Sequence, residues 1–321
     1  MAMSHWVNRR VLVTGGAGFL GRRVVANLQG RGAEVSAPRS ADYDLTVPGA
    51  AHEMLAEHRP DDVIHLAARV GGIGYNMAQP APLYLDNLLM GTHVIEATRA
   101  AGTVDKTVLL GTVCSYPKIT PVPFEEANLW EGYPEETNAP YGIAKKAHLI
   151  HAQVNAQQYG QRFAYLIPTN LYGPGDKFHP SVSHVIPALI KKCVEAQESG
   201  AGQVDVWGTG SASREYLFVD DAAEAIVRAT ESHVGTEPIN LGADREVTVK
   251  ETAETIARLV GFEGELRWDP SKPDGQPRRG VDGSRARKLL SWEPEVDFES
   301  GLRETIAWYL ANREAAETFH H

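Results

Sequence analysis

A tyrosine and a lysine four residues apart are the first side chains in this sequence that could do chemistry together. Tyr141 and Lys145 lie in the segment "PYGIAKKAH", and helical spacing puts positions i and i+4 on one face. An ammonium near a phenol favours the phenolate, so we expect Lys145 to lower the pKa of Tyr141 from about 10. Tyr141 could then exchange a proton with a substrate oxygen near neutral pH.

A threonine and a cysteine follow another buried segment. "GTVCSYPK" (111–118) places Thr112 and Cys114 directly after the apolar run 108–110, and Cys114 is one of only two cysteines. The Thr112 hydroxyl can contact the same oxygen as Tyr141. Cys114 alone has two interpretations, since a free cysteine can be a small buried hydrophobe or a reactive thiol.

A glycine triad lies between a strand and a helix near the start of the chain. "VTGGAGFLG" contains Gly15, Gly18 and Gly21. The first allows a tight turn, the second lets the backbone approach a pyrophosphate, and the third lets the helix pack on the strand. Free N–H groups at the helix start then face the phosphates. The pattern predicts a dinucleotide-binding site.

The end of the second strand distinguishes NAD from NADP. In "EVSAPRSADYDL" (34–45), Glu34 comes too early to bind the ribose 2′-hydroxyl, and Arg39 lies where the loop leaves the strand. A guanidinium suits a 2′-phosphate, so NADP(H) is the predicted cofactor. Asp44 and Leu45 would follow near the adenine. The alternative is that Arg39 is a solvated loop residue.

These residues need a scaffold of alternating strands and helices. Such alternation predicts an α/β fold, a Rossmann-type doubly wound parallel sheet. We predict strands near 9–14, 33–37, 61–68, 106–111, 163–168, 204–207 and 237–242. We predict helices near 19–32, 48–57, 83–101, 141–159, 184–198, 220–230, 248–260 and 299–312.

The regular alternation ends near Asn170. Glycine, proline and polar residues then cluster in 172–183, 208–213 and 269–284. The pattern predicts an NADP-binding domain of residues 1–170 plus about 215–242. A smaller C-terminal α/β lobe for the substrate would comprise 171–214 and 243–321.

Composition excludes several function classes. The 321 residues carry a net charge of −10, with 43% hydrophobic and 22% charged residues, as expected of a globular enzyme and not of a nucleic-acid binder. Two cysteines predict a reducing, cytoplasmic location. We expect no membrane partner, because no apolar run is long enough to cross a bilayer. We identify no metal site.

The order of these motifs resembles a known family. The glycine turn, "DDVIHLAA" (61–68), Asn87, Thr112 and the Tyr141/Lys145 pair occur in the order found in extended short-chain dehydrogenases/reductases that act on nucleotide sugars. The resemblance implies cofactor contacts from Gly15, Gly18, Phe19, Leu20, Gly21, Arg39, Asp44, Leu45, Ala67, Ala68, Asn87, Tyr141, Lys145, Pro168, Asn170 and Leu171.

Longer segments narrow the resemblance within that family. "RVGGIGYN" (69–76), "CSYPK" (114–118), the block 168–190, the block 206–221 and "KPDGQPR" (272–278) are similar to its GDP-sugar 3,5-epimerase/4-reductases. The resemblance implies conversion of GDP-4-keto-6-deoxy-mannose to GDP-L-fucose. Cys114 and His184 would epimerise C3 and C5, and Thr112, Tyr141 and Lys145 would direct the hydride of NADPH to C4.

General acid–base chemistry agrees with those roles. A 4-keto group acidifies the C–H bonds at C3 and C5, so epimerisation needs a base and an acid. A thiol and an imidazole have ordinary pKa values of about 8.5 and 6.5, which bracket neutrality. We take Cys114 as the base and His184 as the acid. His179 competes with His184 on spacing, whereas His65 and Cys193 are interpreted as structural.

Substrate contacts are implied by the same resemblance. They are Asn170, His184, Lys192, Trp207, Arg214 and Lys272. Arg214 suits a diphosphate because its planar fork donates two parallel hydrogen bonds. The family often has arginine at the position of Lys192, so the sugar or the base could differ.

Three alternatives stay open at the sequence level. One is an epimerase without net reduction that holds NAD tightly, and another is a reductase of a different GDP- or TDP-sugar, such as a GDP-heptose. The third is a non-catalytic dinucleotide-binding regulator, which the presence of all five candidate catalytic residues disfavours. Apolar stripes on the helices 83–101 and 141–159 predict a homodimer through a four-helix bundle.

Overall fold

The central element of the computed structural model, which describes residues 5–232, 235–272 and 274–318, is a six-stranded parallel sheet. Its strands lie in the order β2-β1-β3-β4-β5-β9. The strands are β1 (Arg10–Thr14), β2 (Glu34–Ser36), β3 (Asp62–His65), β4 (Lys106–Leu110), β5 (Phe163–Pro168) and β9 (Pro238–Leu241). The order in which strands are added to the sheet reverses between β1 and β3. Doubly wound folds bind their ligands at this switch point.

Helices cover both faces of this sheet. They are α1 (Phe19–Gly30), α2 (Ala50–His58), α3 (Ile73–Ala78), α4 (Pro80–Ala101), α5 (Ala139–Tyr159) and α7 (Val219–Glu231). Helices α1 and α7 pack together on one face. Helices α2, α4 and α5 lie on the other. Burial on both faces explains why these strands are apolar without alternation.

A second group of elements builds the smaller lobe. A three-stranded sheet contains β6 (Asn170–Tyr172), β8 (Ser213–Phe218) and β10 (Glu246–Thr248), and a two-stranded sheet pairs β7 (Gln203–Trp207) with β11 (Glu265–Asp269). Helices α6 (Val185–Ser199), α8 (Val249–Val260), α9 (Ser284–Leu290), α10 (Phe298–Ala311) and α11 (Arg313–Glu317) complete the chain. Helices α6, α8 and α10 surround a separate apolar core.

The predicted strands and long helices agree with the structure to within a few residues. Strands β6, β8, β10 and β11 were not predicted, nor were helices α3, α9 and α11. Strands β6 and β10 have only three residues each, too few to show a period of two. Helix α3 has six residues and lies within a glycine-rich stretch.

Two surface properties bear on partners. In the part of the chain that the structure describes, no helix combines the length and apolarity needed to cross a membrane. Large apolar side chains are exposed on the outer faces of α4 and α5, including Tyr84, Leu85, Ile150 and Val154.

Candidate active site

The turn between β1 and α1 forms a cradle for a dinucleotide. Gly15 has a φ of +71°, and a Cβ there would lie 2.7 Å from the backbone nitrogen of Ala67, so only glycine fits. The Gly18 amide donates to the Gly15 oxygen at 2.9 Å. Phe19, Leu20 and Gly21 open α1, whose first turn contains no acidic residue. Free N–H groups and the positive helix end therefore suit a pyrophosphate.

The segment after β3 forms the next wall of the cradle. Ala67 and Ala68 follow that strand, and the buried Asn87 of α4 holds the segment in place. The Asn87 side chain accepts from the Arg69 amide at 3.0 Å and donates to the Arg69 oxygen at 2.9 Å. It also donates to the Leu83 oxygen. Asn87 thus fixes the shape of the cradle.

The loop after β2 carries the residues considered for cofactor choice. The Arg39 side chain is exposed, and its guanidinium has no hydrogen-bond partner among the described residues. The Asp44 carboxylate accepts from Thr46, which lowers the pKa of Asp44. Leu45 is buried beside His93. A free guanidinium at this edge fits a 2′-phosphate.

The end of β4 turns sharply at the candidate thiol. Thr112 caps a short 3₁₀ helix, Val113–Ser115, by accepting from the Cys114 amide at 3.2 Å. A Cβ on Gly142 would lie 2.6 Å from the Cys114 oxygen, so α5 packs directly on this turn. Cys114 keeps partial exposure. The packing brings Thr112, Cys114 and the start of α5 together.

Tyr141 and Lys145 lie on one face of α5, as predicted, but their protonation differs from the prediction. The Lys145 Nζ is 5.8 Å from the centre of the Tyr141 ring. Burial, followed by the nearby Cys114, raises the pKa of Tyr141 above its ordinary value. The predicted lowering is therefore wrong. Burial also lowers the pKa of Lys145 to about 8.

Two neutral imidazoles accompany Lys145. The His65 Nδ1 lies 2.7 Å from the Thr14 hydroxyl, and the His148 Nε2 lies 3.2 Å from the Leu88 oxygen. Burial and then Lys145 lower the pKa of both histidines. His65 is a buried residue of the sheet, in agreement with its structural interpretation.

His184 lies at the N-cap of α6 with an exposed side chain. Although the residue is exposed, desolvation by the surrounding protein, and then Lys177, lower the pKa of His184. The glycine-rich segment before α3 fixes this position, because the Gly72 amide donates to the Val182 oxygen at 3.3 Å. His179 binds the neighbouring Ser181 hydroxyl instead.

The end of β5 supplies the last cofactor candidates. Pro168 is buried, and Asn170 and Leu171 are half-buried. The side-chain amide of Asn170 donates to the backbone carbonyl oxygen of Glu215 at 2.9 Å and so joins β6 to β8. These residues lie at the same carboxyl edge of the sheet as Gly15, Ala67 and Thr112.

The four remaining substrate candidates lie in the smaller lobe. The Lys192 ammonium donates to the backbone carbonyl oxygen of Asp205 at 2.8 Å. Trp207 is 56% exposed, and the Lys272 Nζ lies 5.5 Å from its ring centre. An exposed indole with a cation above it offers a stacking surface.

The Arg214 guanidinium forms its hydrogen bonds within the smaller lobe. It donates to the backbone carbonyl oxygens of Ser213, Asp274 and Gln276 at 2.6–3.0 Å. Burial, and then Arg279, lower the pKa of Arg214 to about 10. Arg214 therefore shapes the segment 274–279, which we call the strap.

The strap adds residues that the sequence analysis missed. The Arg279 Nη1 donates to the Cys114 sulfur at 3.6 Å, and Gln276 donates to the Lys118 oxygen at 3.0 Å. The adjacent pair Arg278-Arg279 is visible in the sequence, but only the fold shows which of the two points inward.

Comparison with known proteins identifies the family. Residues 11–242 match the NAD dependent epimerase/dehydratase family. The chain belongs to this family. Probable GDP-L-fucose synthase 1 from Oryza sativa subsp. japonica is 42% identical over 94% of this chain and 92% of its own length. The resemblance to extended short-chain dehydrogenases/reductases is confirmed.

Solved structures of similar proteins also share the fold. A GDP-L-fucose synthetase from Naegleria fowleri bound to NADP has a TM-score of 0.86 and 30% identity, covering 97% of each chain. A GDP-6-OMe-4-keto-L-xylo-heptose reductase from C. jejuni has a TM-score of 0.88 and 28% identity, covering 95% of this chain and 98% of that one. The predicted Rossmann-type fold of this family member is confirmed.

Proposed function

We propose that this protein is an NADPH-dependent epimerase/reductase that converts GDP-4-keto-6-deoxy-mannose to GDP-L-fucose. The observation that carries the proposal is the packing of the Cys114 turn on α5 at Gly142, beside Tyr141. This contact puts a thiol next to a proton-donating phenol. A simple 4-reductase has no use for the thiol, whereas a 3,5-epimerase needs a base near the ketone. Relatives named GDP-L-fucose synthase support the substrate.

The cradle fits NADP(H) as the cofactor. Gly15 turns the chain against Ala67, the first turn of α1 lacks acids, and the Arg39 guanidinium is available for a 2′-phosphate. Bound NADPH would supply the hydride that reduces C4. The NADP-bound structure from Naegleria fowleri supports this choice.

The proposed proton steps use the side chains of Cys114, His184 and Tyr141. The Cys114 thiolate takes a proton from C3 or C5, and the C–H electron pair moves to the C4 oxygen as an enolate. The His184 imidazolium returns a proton on the opposite face at the same carbon, and its lowered pKa makes it a stronger acid for this step. Tyr141, whose pKa is raised, is protonated at neutral pH and donates its proton to the C4 oxygen during reduction. Thr112 and Lys145 orient the oxygen and the phenol.

The smaller lobe would hold the nucleotide part of the substrate. The exposed Trp207 ring offers a face to the base, and Lys192 and Lys272 offer positive charge to the diphosphate. Asn170 and Arg214 keep β6, β8 and the strap in register around the sugar. Lysine gives a less oriented phosphate contact than arginine does, so Lys192 allows some freedom in the bound nucleotide.

A second candidate is reduction of a GDP-linked keto-heptose. The similarity to the C. jejuni reductase favours it, with a TM-score of 0.88. The two candidates differ in proton chemistry, because a reductase alone exchanges no hydrogen at C3 or C5.

We further propose a cytoplasmic homodimer with two functional regions in each chain. Residues 1–170 plus about 215–242 would bind NADP, and residues 171–214 and 243–321 would bind the substrate. The position of β9 in the large sheet and the separate core of the small lobe support this division. The exposed apolar residues of α4 and α5 support a four-helix interface.

The test uses purified protein with NADPH and GDP-4-keto-6-deoxy-mannose. We expect NADPH absorbance to fall as GDP-L-fucose accumulates, with one NADPH oxidised for each GDP-L-fucose formed. Tyr141→Phe should lower the rate by about 10²–10⁴-fold. An epimerised keto sugar formed without oxidation of NADPH would instead support an epimerase that does not reduce its substrate. The absence of any product would refute both the epimerase/reductase and the epimerase.

A further inference from the structure

The guanidinium of Arg279 is in direct contact with the candidate base, the Cys114 sulfur. Its Nη1 lies 3.6 Å from the Cys114 sulfur, and its Nε donates to the side-chain Oε1 of Gln276 at 3.2 Å. Only 7% of Arg279 is exposed. A nearly buried arginine thus donates one of its hydrogen bonds to a thiol.

Among the described residues, Arg279 has no carboxylate counterion. In the described ranges, no carboxylate lies within ion-pair distance of this guanidinium, although most other buried arginine charges in proteins are paired. Its charged neighbour is Arg214, another cation, whose pKa is lowered to about 10 by burial and then by Arg279. Two interacting cations therefore lie in the protein interior, with Arg279 buried and Arg214 half-buried. An anion between them would relieve the cost of burying both.

The backbone, and not the side chain alone, sets the position of Arg279. The Arg279 oxygen accepts from the Glu215 amide at 3.0 Å, and the Pro277 oxygen accepts from the Ser213 amide at 2.9 Å. Gln276 ties the same strap to the Lys118 oxygen, just beyond the Cys114 turn. Contacts of the strap with β8 in the smaller lobe and with Lys118 in the larger one therefore hold the guanidinium beside the sulfur.

We propose that Arg279 is a positioning residue that holds the Cys114 sulfur as a thiolate facing the bound sugar. This inference rests on the proposed epimerase function. In the step it supports, a C–H bond of the keto sugar breaks and an S–H bond forms. The electron pair passes to the C4 oxygen, and Arg279 stays protonated throughout. The ionisable groups that interact with Cys114 are Arg279, Arg214 and Tyr141.

The test measures how fast iodoacetamide alkylates Cys114 as a function of pH, with the Cys114 peptide followed by mass spectrometry. An opposite charge at this range shifts a titration by about 1–3 units. Because Arg214 remains, we expect Arg279→Gln to move the midpoint of the profile up by about one pH unit. Arg279→Lys should restore most of the shift. Arg278→Gln is the matched control, since Arg278 is exposed and pairs with Glu246.

Two outcomes would overturn the proposal. One is an Arg279→Gln profile that coincides with the parent profile while thermal unfolding is unchanged. The other needs no variant. We expect the midpoint of the alkylation profile of the folded parent protein to lie at least about one pH unit below the midpoint measured in urea. Equal midpoints in the folded and the unfolded protein would contradict the proposal. Neither measurement uses substrate or cofactor, so both are independent of whether the proposed reaction occurs.

Discussion

Burial controls the protonation of Tyr141 and Lys145. The sequence pattern correctly predicts that the two side chains share a helix face, but it predicts the wrong direction for the pKa of Tyr141. The ammonium lies 5.8 Å from the ring centre, and burial dominates for both groups. A protonated tyrosine suits the reductive direction, in which the phenol donates.

The lowered pKa of Lys145 predicts a conflict between stability and activity. The pKa falls from 10.5 to about 8 on folding, so the buried charge costs on the order of 3 kcal/mol below pH 8. That cost disappears as the pH rises from 8 to 10.5, because the unfolded chain then binds more protons. We expect Lys145→Met to unfold at higher temperature than the parent at pH 7, with a smaller difference at pH 9.5.

Calorimetry of both proteins without cofactor at the two pH values checks this prediction. The variant should also lose NADPH oxidation. A variant that is less stable than the parent at pH 7 would show that the ammonium is stabilised by contacts that outweigh burial.

The two cysteines provide a matched pair for the base. Cys114 is partly exposed at the cleft, whereas Cys193 is fully buried in α6. We expect Cys114→Ser to lower deuterium incorporation at C3 and C5 by about 10²–10⁴-fold, because serine is a far weaker base. Cys193→Ser should keep the incorporation rate. Mass spectrometry of the keto sugar in D₂O measures both, and equal rates for Cys114→Ser and the parent would exclude the thiol as base.

At the scale of elements, local signals and long-range contacts differ in what the sequence reveals. The glycine turn, the long helices and the large sheet were predictable, because their periodicities and turn residues are local. The strap was not, since Arg279 approaches Cys114 across 165 positions of the chain. Adjacent arginines look alike in sequence, and only the backbone hydrogen bonds between β8 and the strap determine which one points inward.

The loop after β2 makes a prediction about cofactor choice. Arg39 is exposed and unpartnered in the described chain, and a charge-assisted hydrogen bond contributes about 1.5–3 kcal/mol. We expect Arg39→Ala to weaken NADPH binding by about 10–100-fold and to leave NADH binding nearly unchanged. Fluorescence titration with both nucleotides measures this.

A surface arginine in another lobe is the control for that titration. Arg245 pairs with Glu251 and is exposed, so Arg245→Ala should not alter either affinity. Equal losses for NADPH and NADH in Arg39→Ala would show that the loop contacts the shared part of the two nucleotides.

At the scale of the whole molecule, the outer faces of α4 and α5 predict self-association. Ile150 and Val154 are one helical turn apart and are 45% and 47% exposed. We expect Val154→Glu to convert a dimer to a monomer, because each copy would bury an unpaired charge at the interface. Light scattering coupled to size exclusion measures the mass. A parent protein of monomer mass would refute the predicted interface.

The cleft between the two lobes is where the account is tested most directly. The parent protein is incubated with NADPH and GDP-4-keto-6-deoxy-mannose in D₂O, and the position of deuterium in the product is read by NMR. We predict GDP-L-fucose that carries deuterium at both C3 and C5, with one NADPH oxidised for each product molecule. A reduced sugar without deuterium at either carbon would contradict the account, because the thiol would then take no part in the reaction.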